Sequence, residues 1–320
     1  MHSISRLMRP VVPMVSRQLD GNLHLLTKVT AVSFKQFSSV PTDNIRQEQN
    51  IKSTLVDPKK IVDSLNTVVE TKYKEHPFSK EITRENIERV LGSYLAMSEA
   101  FPFLQAGAYK DLIFDCIFRN KGVSKEMEES FVVGAFLSFD ETGGNYLLRT
   151  KGIQALPQLL DTNLNFHAAL LKKDIQSVFA KNILPNYKNP TDLYLIRLTQ
   201  GLGSRDPVLR CATMVAFEMH AGQMIEALWN SLSGLYPEKD KESLEYFKVH
   251  VGGDDPQEEY HKLLTQKMVG SSIAPTDEAR FLLAFEESYG LNFQWCSDIC
   301  KSERLQNTPL SFPRLPHLDP

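Results

Sequence analysis

From residue 58 to about residue 300, apolar positions recur at steps of three and four, the spacing of amphipathic helices. "DPKKIVDSLNTVVETKYKEH" opens with Asp57 in the capping position and Pro58 at the first helical position. "TRENIERVLGSYLAMSEAFPFL" places Ile87, Val90, Leu91, Tyr94, Leu95 and Ser98 along one face. "SKEMEESFVVGAFLSFDE" starts from Ser124 as a cap. Its third residue on is Met127 rather than Glu or Gln, so the reciprocal half of a capping box is missing. Gly143-Gly144 stops that helix, and a new one is expected from Leu156-Pro157 to about Ala180. Thr191 caps "DLYLIRLTQGL", and Asp206-Pro207 opens a long helix that reaches Leu235. No pair of alternating strands joined by Asn-Gly or Asp-Gly interrupts the series. The pattern predicts an all-α fold, a compact multi-helix bundle.

The two ends depart from this pattern. Residues 1–57 read as an N-terminal arm and linker, 58–303 as the helical domain and 304–320 as a proline-rich extended tail. The first forty residues carry Arg6, Arg9, Arg17, Lys28 and Lys35, several serines, and Asp20 as their only acid. That is the composition of a mitochondrial presequence, or else of a loosely packed arm. The expected compartment is the cytoplasm, or the mitochondrial matrix in a eukaryote.

Composition narrows the classes. The chain has 320 residues, 42% hydrophobic and 23% charged, enough for a sizeable core. A net charge of −3 gives no footprint for nucleic acid. No apolar run approaches the ~18 residues of a membrane span. Four cysteines do not make a disulfide framework. Cys296 and Cys300 in "CSDIC" lack the paired motif of a zinc site and read as reduced structural thiols.

Candidate chemistry comes from ionisable residues on faces that should be apolar. In "DPVLRCATMVAFEMHAGQMIEALWNSL", Cys211, Val215, Gly222, Ile225, Trp229 and Leu232 form a stripe that Glu218 interrupts. A lone carboxylate there costs several kcal/mol unless it is paired, protonated or bound to metal. His220, about 200° around the helix from Glu218, is expected to make a structural hydrogen bond instead. In the preceding helix His167 shares a face with Ile153, Leu156, Leu160, Leu164 and Leu171. Glu141 ends an apolar helix on its core-facing side, where the dipole disfavours an acid. It calls for a cation, either a metal or a basic side chain such as Arg149.

The segment "YFKVHVGGDDPQEEYHKLL" holds the densest group. Were helical geometry to hold through it, Asp254 would lie about 40° and His261 about 20° from His250. Gly252-Gly253 and Pro256 argue for a local break, with a new helix starting at Pro256. Glu258 and His261 offer a competing Glu-x-x-His pair. Glu141, His167, Glu218, His250, Asp254 and His261 together supply three carboxylates and three imidazoles. Mixed nitrogen and oxygen donors of this kind suit iron, in one ion or two, or manganese in its place. Tyr246 and Tyr260 flank the candidate ligands as donors of protons or an electron; core packing is the plainer role for each.

"DETGG", "FHAALL", "AFEMHAGQMIEALW" and "HVGGDDPQEEYH" follow one another over about residues 80–275. In that order they resemble the haem-oxygenase-like di-iron oxidases and oxygenases. Two spacings differ: His261 follows Asp254 by seven residues where the family commonly has three, and Glu141 and His167 do not share one helical stretch. The resemblance implies a compact seven-helix fold, a metal centre that uses dioxygen on a small-molecule substrate, and a homodimer. The chemistries it brings include oxidative C–C cleavage, N-oxygenation and modification of a protein side chain. Two other readings stand beside it. One is a non-catalytic helical interaction protein with a degenerate metal site. The other is a haem or tetrapyrrole binder on the same fold, with His167 or His220 as axial ligand.

Overall fold

The structure is a computed structural model that describes residues 57–251 and 257–301. Helices α1 (Pro58–Lys72), α2 (Pro77–Glu81), α3 (Ile87–Gly107), α4 (Lys110–Phe118) and α5 (Lys125–Glu141) form the first half. After α6 (Gly144–Lys151), a 3-10 segment (Ile153–Leu160) and the single turn α7 (Thr162–Asn165) lead to α8 (His167–Phe179). Then come α9 (Thr191–Leu202), α10 (Pro207–Leu235), α11 (Glu245–Val251), α12 (Gln257–Ser272) and α13 (Glu278–Lys301). No strand occurs among the described residues. The fold class is all-α, as the periodicity predicts. The arm before Asp57 and the proline-rich tail lie outside the described residues.

Helix starts follow their capping residues. Asp57 accepts the amide of Lys59, Ser124 that of Met127 and Asp206 that of Val208. The central helix is α10, packed against α13, α12, α9, α11 and α2. Its stripe of Cys211, Val215, Ile225, Trp229 and Leu232 is buried. Beside it α3 is sunk in the core, with Phe101 stacked on Phe217 of α10 at 4.1 Å between ring centroids. No helix among the described residues is long and apolar enough to cross a membrane.

Two local expectations need correction. Residues 156–180 are not one helix: Pro157 sits in the 3-10 segment, and Phe166 is extended at φ −65° and ψ 128°. A proline there removes a helical donor and crowds the preceding turn. The supposed core face fails with it, since Ile153, Leu160 and Leu164 are 75%, 89% and 57% exposed. At α9 the capping position belongs to Pro190, and Thr191 is the first helical residue.

The break is what brings His167 to Glu141. Gly143 turns the chain out of α5 at φ +77°, a conformation that favours glycine. A Cβ on Gly143 would lie 2.5 Å from the carbonyl oxygen of Asn165. Only glycine therefore lets the end of α7 close on the end of α5. His167, two residues beyond Asn165, starts α8 beside the last residue of α5.

Candidate metal centre

Five helices converge on one buried group of donors. Glu141 comes from the end of α5, His167 from the start of α8 and His250 from α11; one donor atom of each lies within 4.8 Å of the others. Oε2 of Glu141 is 3.4 Å from His167 Nδ1, and Oε1 is 3.8 Å from His250 Nε2. The two imidazole rings stand edge to face at 4.7 Å. Burial opposes ionisation of Glu141, but the imidazoles of His167 and His250 outweigh it and hold the carboxyl well below the usual range. The partners that the structure gives Glu141 are thus these two imidazoles.

Helices α10 and α12, with Asp140 of α5, add a second set. Oε2 of Glu218 lies 3.4 Å from Nδ1 of His261, and Oδ2 of Asp140 lies 2.9 Å from Nε2 of the same ring. Burial lowers the affinity of His261 for its proton, yet the two carboxylates more than reverse this and raise its pKa to about 11. His261 is therefore an imidazolium clasped at both nitrogens. The two sets meet in a cavity of about 40 Å³ lined by Glu141, Glu218, His250, His261, Tyr94 and Tyr246, among others. Glu218, His250 and His261 also line a wider cavity of about 630 Å³ walled by Val62, Val69 and Met219.

The sequence candidates divide as follows. Glu141, His167 and His250 come together as one set, and Glu218 and His261 as its neighbour. Instead of one continuous helix face, His250 and His261 stand on separate helices, α11 and α12. Asp254 and the side chain of Glu258 lie outside the described residues. Tyr246 is buried, its ring 4.3 Å from that of His250 and its hydroxyl 2.8 Å from that of Tyr94. Tyr260 is 52% exposed and lines neither cavity. Two participants escaped the sequence reading. Asp140 continues the buried face of Val133 and Leu137 one turn on, which is its only signal; Tyr94 reads simply as a core residue of α3.

Does this site fit a metal? His250 uses Nδ1 on the carbonyl of Tyr246 at 2.7 Å, so its N–H is committed there and Nε2 presents a lone pair towards Glu141. His167 Nδ1 is buried and makes no hydrogen bond; its nearest carboxylate oxygen, Oε2 of Glu141, stands 3.4 Å away, a charge contact that is too long for a strong hydrogen bond. A buried orphan nitrogen beside a carboxylate and a second, oriented imidazole is a ligand arrangement. The residues fit.

A second cluster does not. His76, His220 and Cys296 are buried with donor atoms within 4.8 Å, but Nδ1 of His76 accepts the amide of Phe78 at 3.2 Å. Neutral His76 then carries its proton on Nε2, which points at Nε2 of His220 3.2 Å away. Burial lowers the pKa of His76 to about 4, so the neutral form is the relevant one. The pair is a satisfied hydrogen bond, the structural role expected of His220.

No protein-family model matches the chain, and no curated protein matches it by sequence. Solved structures do match in shape. The chain is similar in fold to a CadD-like protein from Nostoc punctiforme. The 2.00 Å crystal structure of that protein, itself of unknown function, has a TM-score of 0.54 at 13% identity, covering 76% of this chain and 96% of that one. A 1.35 Å structure gives 0.53 at 12%, covering 79% and 99%. Likeness at such identity speaks for the helical architecture alone. It is compatible with the haem-oxygenase-like expectation.

Proposed function

We propose that the protein is an iron-dependent oxidase or oxygenase that uses dioxygen on a small amphipathic molecule. The observation that carries the reading is the buried trio of Glu141, His167 and His250, in which Nδ1 of His167 makes no hydrogen bond. Those three residues would hold one ion, and Asp140, Glu218 and His261 offer donors for a second. Carboxylate and imidazole together suit iron or manganese. Bound there, iron would supply the binding and reduction of dioxygen.

The chain's own residues do the rest. Glu141 stays ionised, and the Tyr246 carbonyl fixes the tautomer and the aim of His250. For His261 to donate a nitrogen it must release its proton, so loading of the second set is coupled to proton loss. Tyr94 and Tyr246 hold hydroxyl protons at the edge of the small cavity. The wider cavity, about 630 Å³ with valine walls and a charged floor, is the right size and polarity for a small molecule with an apolar body and one polar end. A haem axial role for His167 or His220 has little support, since neither lines that cavity. The resemblance also brings the expectation of a homodimer, which sedimentation tests directly.

The decisive experiment is anaerobic reconstitution of the full chain with ferrous iron, followed by elemental analysis and oxygen-uptake measurement. One or two irons per chain, with the ion of the trio lost in Glu141→Ala and in His167→Ala, and oxygen consumption dependent on that iron are expected. Failure to retain iron would overturn the reading in favour of a non-catalytic helical protein.

A further inference from the structure

We infer that Asp174 is the positioning residue of the metal centre, holding the two helices that carry His167 and His250 in register. This rests on the proposed iron site and adds a residue outside its ligand set. Asp174 follows His167 by seven residues, so the two share a face of α8 within about 20°. It is 3% exposed, and its carboxylate accepts two amides of α11: Glu245 N to Oδ1 at 3.0 Å and Tyr246 N to Oδ2 at 2.8 Å.

Helix α11 has seven residues, and Leu244, at the capping position, has no side-chain oxygen to offer its first amides. A helix so short does not persist without outside support. Asp174 therefore caps it from another element. The consequence runs along one residue. The amide of Tyr246 is fixed by Asp174, and the carbonyl of Tyr246 accepts Nδ1–H of His250 at 2.7 Å. Nε2 of His250 is left aimed at Glu141. One carboxylate on α8 thus sets both the height of α11 and the direction of its imidazole relative to His167.

The test compares wild type, Asp174→Ala and Asp174→Asn as full chains, with ferrous affinity measured anaerobically and nitrogen NMR of the histidine rings read without metal. Asparagine can still accept one of the two amides; alanine accepts neither. Removing a partner that orients a ligand typically lowers metal affinity about 10–100-fold. Asp174→Ala should show such a loss together with a changed tautomer signal for His250, and Asp174→Asn should recover most of both. Wild-type affinity and an unchanged His250 signal in Asp174→Ala would overturn the inference. So would an alanine-like defect in Asp174→Asn, since a cap should be partly rescued. Should wild type take no iron, the metal reading fails by itself, and the ring signals still decide whether Asp174 orients His250.

Discussion

Oδ2 of Asp140 lies 2.9 Å from Nε2 of His261, tying the last turn of α5 to α12 beneath the small cavity. With Glu218 on the other ring nitrogen, the pair keeps His261 charged far above the usual range. The neighbouring Glu141 faces the other way, towards His167 and His250. Two adjacent acids at one helix end therefore serve two different sets of imidazoles.

A pH dependence follows from this pair. The folded pKa of His261 is raised from 6.5 to about 11, so its contribution to stability is fully present below 6.5 and is lost as pH rises through about 11. Denaturation midpoints of the metal-free chain should carry a component that declines from pH 7 to pH 10. Asp140→Asn removes one of the two carboxylates, so that component should shrink and the decline should be shallower. Parallel curves for the two proteins would mean that Asp140 does not hold the proton on His261.

The hydroxyls of Tyr94 and Tyr246, 2.8 Å apart, are another polar contact in the cavity wall. Burial, followed by the neighbouring Tyr246, pushes Tyr94 well above its ordinary pKa, so it stays a phenol at any physiological pH. Tyr94→Phe removes the hydrogen bond without changing the ring packing against Phe78. The expected loss is about 1 kcal/mol in chemical denaturation. If the hydroxyls also serve oxygen chemistry, iron binding should be unchanged while oxygen uptake falls; loss of iron instead would make the tyrosine a structural part of the centre.

His76 and His220 give a control for the whole metal argument. His220→Asn takes away the acceptor of the His76 Nε2–H, leaving a buried donor short of its partner, at a cost of about 1–3 kcal/mol. Iron content after reconstitution should match wild type. A drop in metal stoichiometry with the fold intact would show that the His76, His220 and Cys296 cluster binds an ion after all.

What was legible in the sequence was the part governed by local rules. Asp206-Pro207 marks the start of α10 because a cap and a proline act within one turn, and the stripe of Cys211, Val215 and Trp229 is buried as its period requires. Glu218 stands out because it breaks that stripe. The stretch from Ile153 to Leu164 was not legible: periodicity records that apolar side chains share a side, not that anything covers them. Asp140 was not legible beside Glu141, because consecutive helical residues point about 100° apart and spacing alone does not show that this helix end is buried on both sides. Nor could spacing place His167 against Glu141, since their approach depends on a left-handed turn at Gly143 and on backbone contact with Asn165.

The sharpest test of the site is Glu218→Ala. Glu218 sits mid-way along the buried side of α10, between Phe217, which stacks on Phe101, and Met219 in the wall of the wide cavity. Alanine has the higher helix propensity, and it removes a carboxylate from apolar surroundings. The helix should therefore keep its ellipticity. His261 would lose its partner at Nδ1, and the second donor set would fall from three residues to two. The first set, Glu141, His167 and His250, does not use Glu218 and should still bind. Elemental analysis should then show the iron content of the variant reduced relative to wild type, while Glu141→Ala loses the first ion. Equal iron in Glu218→Ala and wild type would confine the centre to the trio around Glu141 and leave Asp140, Glu218 and His261 as an ion-paired wall.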